Sequence, residues 1–217
     1  MRRSRGAVIA SAVAILLVSL PLGGASAGGG VPNARPGRAP QAGLIQELNF
    51  VFIPDPANAP LGKTVGWVNS VHARHTTTGA APLSLWDSGD MIYRQKFAYT
   101  FTAAGQYPYL CTIHQLYNMV SSIRVRDQVN PPDGPAGTVF TITVATIPAP
   151  TDYVYDVQKK EPGGAWQDWM INVTSTNVQF DSTGKNPGTY GFRSRLHRVS
   201  DDASSDYSPP AAITVTP

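Results

Sequence analysis

Hydrophobic and polar positions alternate along most of this chain, and they rarely follow a helical period. Thr64-Val65-Gly66-Trp67-Val68-Asn69 puts Val65 and Trp67 on one face, the period of two that a half-buried strand needs. Leu48 to Pro54 reads as one strand ended by proline. Leu83 to Trp86 precedes a turn at Asp87-Ser88-Gly89. Lys96 to Thr102 alternates aromatic and polar residues until Gly105 breaks it, and Tyr107 to Cys111 follows. Ile123-Arg124-Val125-Arg126 predicts Ile123 and Val125 inward with the arginines outward. Short strands between turns, with no helical stretch, predict an all-β sandwich or barrel over residues 43–127.

Residues 128–137 contain Asn130-Pro131-Pro132-Asp133-Gly134-Pro135-Ala136-Gly137, which predicts a Pro/Gly linker because proline cannot donate to a sheet. Alternation resumes over residues 138–217. Thr138 to Val144, Tyr153 to Val157 and Ile213 to Val215 are strands, with turns at Pro162-Gly163-Gly164 and Ser182-Thr183-Gly184. Tyr190, Phe192 and Leu196 fall on one face, Arg193 and Arg195 on the other, and His197 is expected on the solvated side. The Tyr190-x-Phe192-Arg193-x-Arg195 strand, with Tyr207-Ser208 before the last strand, resembles the end of a fibronectin type III domain. That resemblance implies a second, immunoglobulin-like β-sandwich. The early strand Val139 to Val144 lacks that family's usual tryptophan, and Trp166 and Trp169 are candidates to fill the core instead.

The N-terminus changes how charge is read. Arg2, Arg3 and Arg5 precede an apolar run from Ala7 to Leu22, and Ala25-Ser26-Ala27 follows. A basic start, a short apolar stretch and an A-x-A end make residues 1–27 a secretory signal; about 16 residues is short for a membrane span. Removing it lowers Lys+Arg from 17 to 14, against 14 Asp+Glu. The mature chain is thus formally neutral, with no basic patch for nucleic acid. Residues 28–42 are rich in Gly, Pro and Ala and read as a tether. The expected location is secreted or cell-envelope, with no membrane span left after cleavage. Asn172-Val173-Thr174 fits a glycosylation triplet, which is common by chance.

Cys111 is the only cysteine, so it has no internal disulfide partner, and an unpaired thiol in an exported protein needs a reason. Burial as a small hydrophobe is one. Metal ligation is the sharper one, because His114 lies three residues on and Met119 five beyond that. A thiolate, an imidazole and a thioether so close together suit copper, and a single-copper site of the blue kind needs one more histidine. Of the four histidines, His197 lies in the second half, leaving His72 or His75.

Here the chain resembles the cupredoxins, the plastocyanin and pseudoazurin family of single-copper proteins. The matching residues are Phe50-x-Phe52-x-Pro54, Val65-x-Trp67-x-Asn69, His75-Thr76, Asp87-Ser88-Gly89, Phe101-x3-Gly105-x-Tyr107-x-Tyr109-x-Cys111 and Cys111-x2-His114-x4-Met119. They cover residues 44–127. The resemblance implies a Greek-key β-sandwich and selects His75 over His72 as the remote ligand. It implies a His₂Cys plane of His75, Cys111 and His114 around one copper ion, with Met119 as the weak axial ligand. It also implies electron transfer through His114, with a redox protein partner docking near His114, Leu116 and Tyr117. Two departures stand out. Thr76 replaces the family's asparagine, and Gln115-Leu116-Tyr117-Asn118 is bulkier than plastocyanin's loop.

Other functions fit less well. A multicopper oxidase needs histidines flanking the cysteine, but Leu110 and Thr112 stand there. No hydrolase motif is present, so no catalytic residues are assigned and an enzyme is not expected. Zinc accepts Cys and His but methionine is a poor ligand for it. Two alternatives use the same residues or the same fold: a copper carrier or buffer, and an extracellular interaction module.

Overall fold

The computed structural model describes residues 43–217. The described residues lie within one compact unit. Apart from one 3₁₀ turn at Gln115–Tyr117, every regular element among the described residues is a strand. The signal and tether expected over residues 1–42 lie outside the described residues.

The first half contains β1 (Leu44–Leu48), β2 (Val51–Ile53), β3 (Ala57–Ala59), β4 (Thr64–Asn69), β5 (Thr78–Gly79), β6 (Lys96–Thr100), β7 (Gly105–Leu110) and β8 (Val120–Val125). They form two four-stranded sheets, ordered β2-β1-β4-β6 and β3-β8-β7-β5. β1 runs parallel to β4, with Ile45 opposite Trp67 and Glu47 opposite Asn69. The sheets meet through aromatic side chains: Trp67 and Phe52 of one sheet both pack on Tyr109 of the other. Val65, Trp67, Ile123 and Val125 are buried as the alternation requires, since burial of one strand face drives sheets together.

The second half contains β9 (Gln128–Asn130), β10 (Asp133–Pro135), β11 (Val139–Thr143), β12 (Tyr153–Lys160), β13 (Trp166–Val173), β14 (Asn177–Asp181), β15 (Gly188–Arg198), β16 (Ala203–Ser204) and β17 (Ala211–Thr216). One sheet is ordered β10-β17-β15-β12-β13, with β16 on β15; the other is β14-β11-β9. Phe180 of the smaller sheet packs on Tyr190 and Phe192 of the larger. Trp169 joins this core against Phe180 and Phe192. Trp166 turns the other way, 4.5 Å from the Arg193 guanidinium.

Four expectations change. The run from Leu48 to Pro54 is not one strand: Leu48 pairs with Val51 across a tight reversal at Asn49-Phe50. Leu83 to Trp86 is turn and loop. Residues 128–137, expected as linker, are largely paired strand, with β9 on β11 and β10 running parallel to β17. Pro131 and Pro132 lie between the two strands, and Pro135 is in β10 at the edge of its sheet, where proline is tolerated. His197 is not a solvated surface residue: its Nδ1 lies 3.0 Å from Asp156 and its Nε2 3.0 Å from Asp202.

The first half also buries an unusual carboxyl. Glu47 is fully buried, and among the described residues neither of its oxygens has a hydrogen-bond partner. Burial pushes the Glu47 carboxyl up to about 7, because a low-dielectric interior disfavours the charged form.

Candidate metal centre

Three donors converge at one end of the first half. Cys111 Sγ lies 3.4 Å from His114 Nδ1 and 3.8 Å from His75 Nδ1, and the two Nδ1 atoms are 3.2 Å apart. His75 and Cys111 are fully buried and His114 is half-buried. Among the described residues this is the one such group of His, Cys, Asp or Glu side chains. His72 is not part of it: it is exposed and stacks on Tyr93, 4.5 Å between ring centroids.

The sequence builds this convergence from two loops. Asn69, at the end of β4, organises the first. Its Nδ2 donates to the Ala73 carbonyl at 2.7 Å and the Met91 carbonyl at 2.8 Å, and its Oδ1 accepts the Val71 N–H at 2.9 Å. His75 and Met91 then exchange backbone bonds, His75 N–H to Met91 O at 3.2 Å and Met91 N–H to His75 O at 2.8 Å. A buried amide that uses both its donor and acceptor ends is a rigid clamp. Cys111 follows β7, and its N–H donates to the Met119 carbonyl at 3.0 Å, closing the second loop on itself. Between them, Gln115–Tyr117 makes a single 3₁₀ turn ended by Asn118 in the left-handed conformation.

Thr76 ties the loops together. Its backbone N–H donates to Cys111 Sγ at 3.3 Å, and its hydroxyl oxygen accepts the Thr112 N–H at 2.8 Å. The Thr78 hydroxyl donates to the same oxygen at 3.1 Å. Thr76 thus links the two donor-bearing loops through its own hydroxyl. The Trp86 indole donates to Thr77 at 3.3 Å behind this layer.

The donor set fits a soft or borderline metal ion. Two imidazole nitrogens and a sulfur facing one another without a carboxylate bring lone pairs together that a cation would neutralise. Burial first, and the His114 charge second, push the His75 imidazole down to about 4. It is therefore neutral near pH 7, the form that binds a metal. Met119 is buried and belongs to the loop that carries Cys111.

No family model matches the chain, and no curated protein matches it. Solved structures do. Amicyanin variants, a purple cupredoxin and a copper-containing nitrite reductase are among them. A Cu(I) form of an amicyanin variant is 26% identical over 41% of this chain and 86% of its own, at a TM-score of 0.37. The purple cupredoxin from Nitrosopumilus maritimus is 23% identical over 39% of this chain and 99% of its own, at 0.35. The copper-containing nitrite reductase from Thermus scotoductus is 24% identical over 44% of this chain, but only 24% of that enzyme is covered, at 0.38. The case for a metal centre here rests on the donors themselves.

Two features of the centre were not legible in the sequence. Phe50, in the β1–β2 reversal, meets the ring of His114 edge-on at 4.8 Å. Thr112 supplies the N–H that Thr76 accepts. Neither carries a local signal; both contacts arise only when segments about 36 to 64 residues apart are brought together by the sheets.

Proposed function

We propose that this chain is an exported single-copper protein that transfers electrons. His75, Cys111 and His114 would hold one copper ion, with Met119 as a weak fourth ligand. The observation that carries this reading is the mutual approach of His75 Nδ1, Cys111 Sγ and His114 Nδ1, all within 4.8 Å of one another. Bound copper would supply a Cu(II)/Cu(I) couple that passes one electron at a time. The protein's part is to keep the donors still. Asn69 and the His75–Met91 backbone pair hold one histidine, the Cys111–Met119 backbone bond holds the other loop, and Thr76 joins them. Ligands fixed on such a frame move little between oxidation states, which keeps the reorganisation cost low.

Residues 43–127 carry the centre, and residues 138–217 are assigned a fibronectin-like sandwich. His114 is the half-buried ligand, and Leu116, fully exposed, and Tyr117, 62% exposed, stand beside it. They support docking of a redox protein at this end, since exposed apolar groups around a site favour contact. Among the described residues no helix is long and apolar enough to cross a membrane.

A redox titration of the copper-loaded full chain tests the assignment. A reversible one-electron transition with fast exchange supports it. Slow exchange together with ready loss of copper to a competing chelator would instead make the protein a carrier.

A further inference from the structure

Phe50 stands where glycine would be expected. It occupies the reversal between β1 and β2 with a φ of 62°, a left-handed conformation that a bulky aromatic residue adopts only at a conformational cost. The residue is also 36% exposed, so burial alone does not offset that cost. Strain kept at a partly exposed position points to a job done by the side chain.

The ring has two partners, both in the loop that carries His114. It stacks on Tyr117 at 4.1 Å between centroids and 12° between planes. It meets His114 edge-on at 4.8 Å and 73°. Stacked and edge-on geometries are the favourable arrangements of aromatic pairs. Tyr117 itself reaches the histidine only weakly, at 6.1 Å. Phe50 is therefore the direct link between the rigid sheet β2-β1-β4-β6 and the ring of His114. The 3₁₀ turn beside that ring has no buried residue of its own to anchor it. The His75 side is fixed by Asn69 and Met91, whereas among the described residues the His114 imidazole has no hydrogen bond outside the donor cluster.

We propose that Phe50 is a positioning residue: its ring, wedged between Tyr117 and His114, holds the His114 imidazole with Nδ1 turned toward Cys111 and resists its swinging out of the site. This rests on the copper reading for its purpose, but the contact itself exists without the ion.

Glycine at this position separates ring from backbone. Phe50→Gly removes the ring and relieves the backbone, so the full chain should unfold at the same temperature or higher. Phe50→Leu keeps apolar bulk without an aromatic face, and Phe50→Tyr keeps the face. In the metal-free full chain, NMR of the His114 ring protons should show a ring-current shift that Phe50→Gly and Phe50→Leu lose and Phe50→Tyr retains. After loading with copper, transfer to a Cu(I) chelator should be about tenfold faster in Phe50→Gly and Phe50→Leu, and unchanged in Phe50→Tyr. Unaltered His114 shifts in Phe50→Gly, or a Phe50→Leu variant that matches the wild type in both assays, would overturn the proposal. A wild type that takes up no copper would sink the copper reading alone, and the metal-free NMR comparison would still decide the role of Phe50.

Discussion

The backbone N–H of Thr76 points at the sulfur of Cys111, 3.3 Å away, across two loops that lie 35 residues apart in sequence. A donor aimed at the sulfur fixes where it sits relative to the His75 loop. The Thr76 hydroxyl holds that geometry by accepting the Thr112 N–H at 2.8 Å. Thr76→Val keeps the shape but loses the acceptor, leaving the Thr112 N–H unpaired. It should cost about 1 kcal/mol in urea unfolding, with Thr76→Ser close to the wild type. A Thr76→Val chain as stable as the wild type would show that the hydroxyl bridge is incidental.

His75 and His72 lie three residues apart and have opposite surroundings, one buried against Cys111 and the other stacked on Tyr93. His75→Ala should abolish the visible copper band and lower the bound copper per chain. His72→Ala should change neither. The reverse pattern in absorption and metal analysis would contradict the donor assignment.

Glu47 gives the fold a pH dependence whose sign follows from its burial. Its carboxyl is raised from 4.5 to about 7 in the folded chain. Below about pH 4.5 both folded and unfolded states are protonated, and nothing is lost. As pH rises toward 7 the unfolded state ionises first, so stability falls. Above 7 the loss levels off at about 3 kcal/mol. His75, pushed down to about 4, works oppositely in the metal-free chain: its contribution is lost as pH falls from 6.5 toward 4. Comparing wild type with Glu47→Gln cancels the histidine. The difference between their unfolding free energies should move in favour of the variant between about pH 4 and about pH 7. A difference flat across that window would mean Glu47 is ionised in the core.

The two β-rich halves exchange backbone hydrogen bonds. Ala104 N–H donates to Val144 O and Thr146 N–H to Thr102 O, each at 2.8 Å; Gln106 and Asp206 bond reciprocally at 2.9 and 3.0 Å. Asp127 is buried between them, accepting from the Ser194 and Ser208 hydroxyls. Calorimetry of the full chain should therefore show one cooperative transition. Two well-separated transitions would mean these contacts carry little stability.

The sequence was most readable where burial acts on one face of a strand. Ile123 and Val125, and Tyr190 and Phe192, alternate with exposed or half-buried neighbours, and all four are buried; Val65 and Trp67 are buried too, with only the side-chain-less Gly66 between them. Cys111 and His114 were readable because a short loop brings them together locally. The remote ligand was not readable from the residues alone, since nothing local separates His72 from His75; only the family resemblance chose between them. What was lost depends on contacts across the fold. The reversal at Asn49-Phe50 interrupts an apolar run that otherwise reads as continuous. β13 was missed because its residues are half-buried or exposed along the whole strand, so no clean period survives. His197 was misplaced because Asp156 and Asp202, which flank it, come from another strand and a turn.

In the proposed copper site, Cys111 binds the ion as a thiolate beside His75 and His114. The most direct measurement is the visible absorption spectrum of the full chain loaded with Cu(II), with Cys111→Ser alongside. The wild type should show an intense visible band that Cys111→Ser abolishes. A colourless wild-type protein, or a band that survives Cys111→Ser, would contradict it.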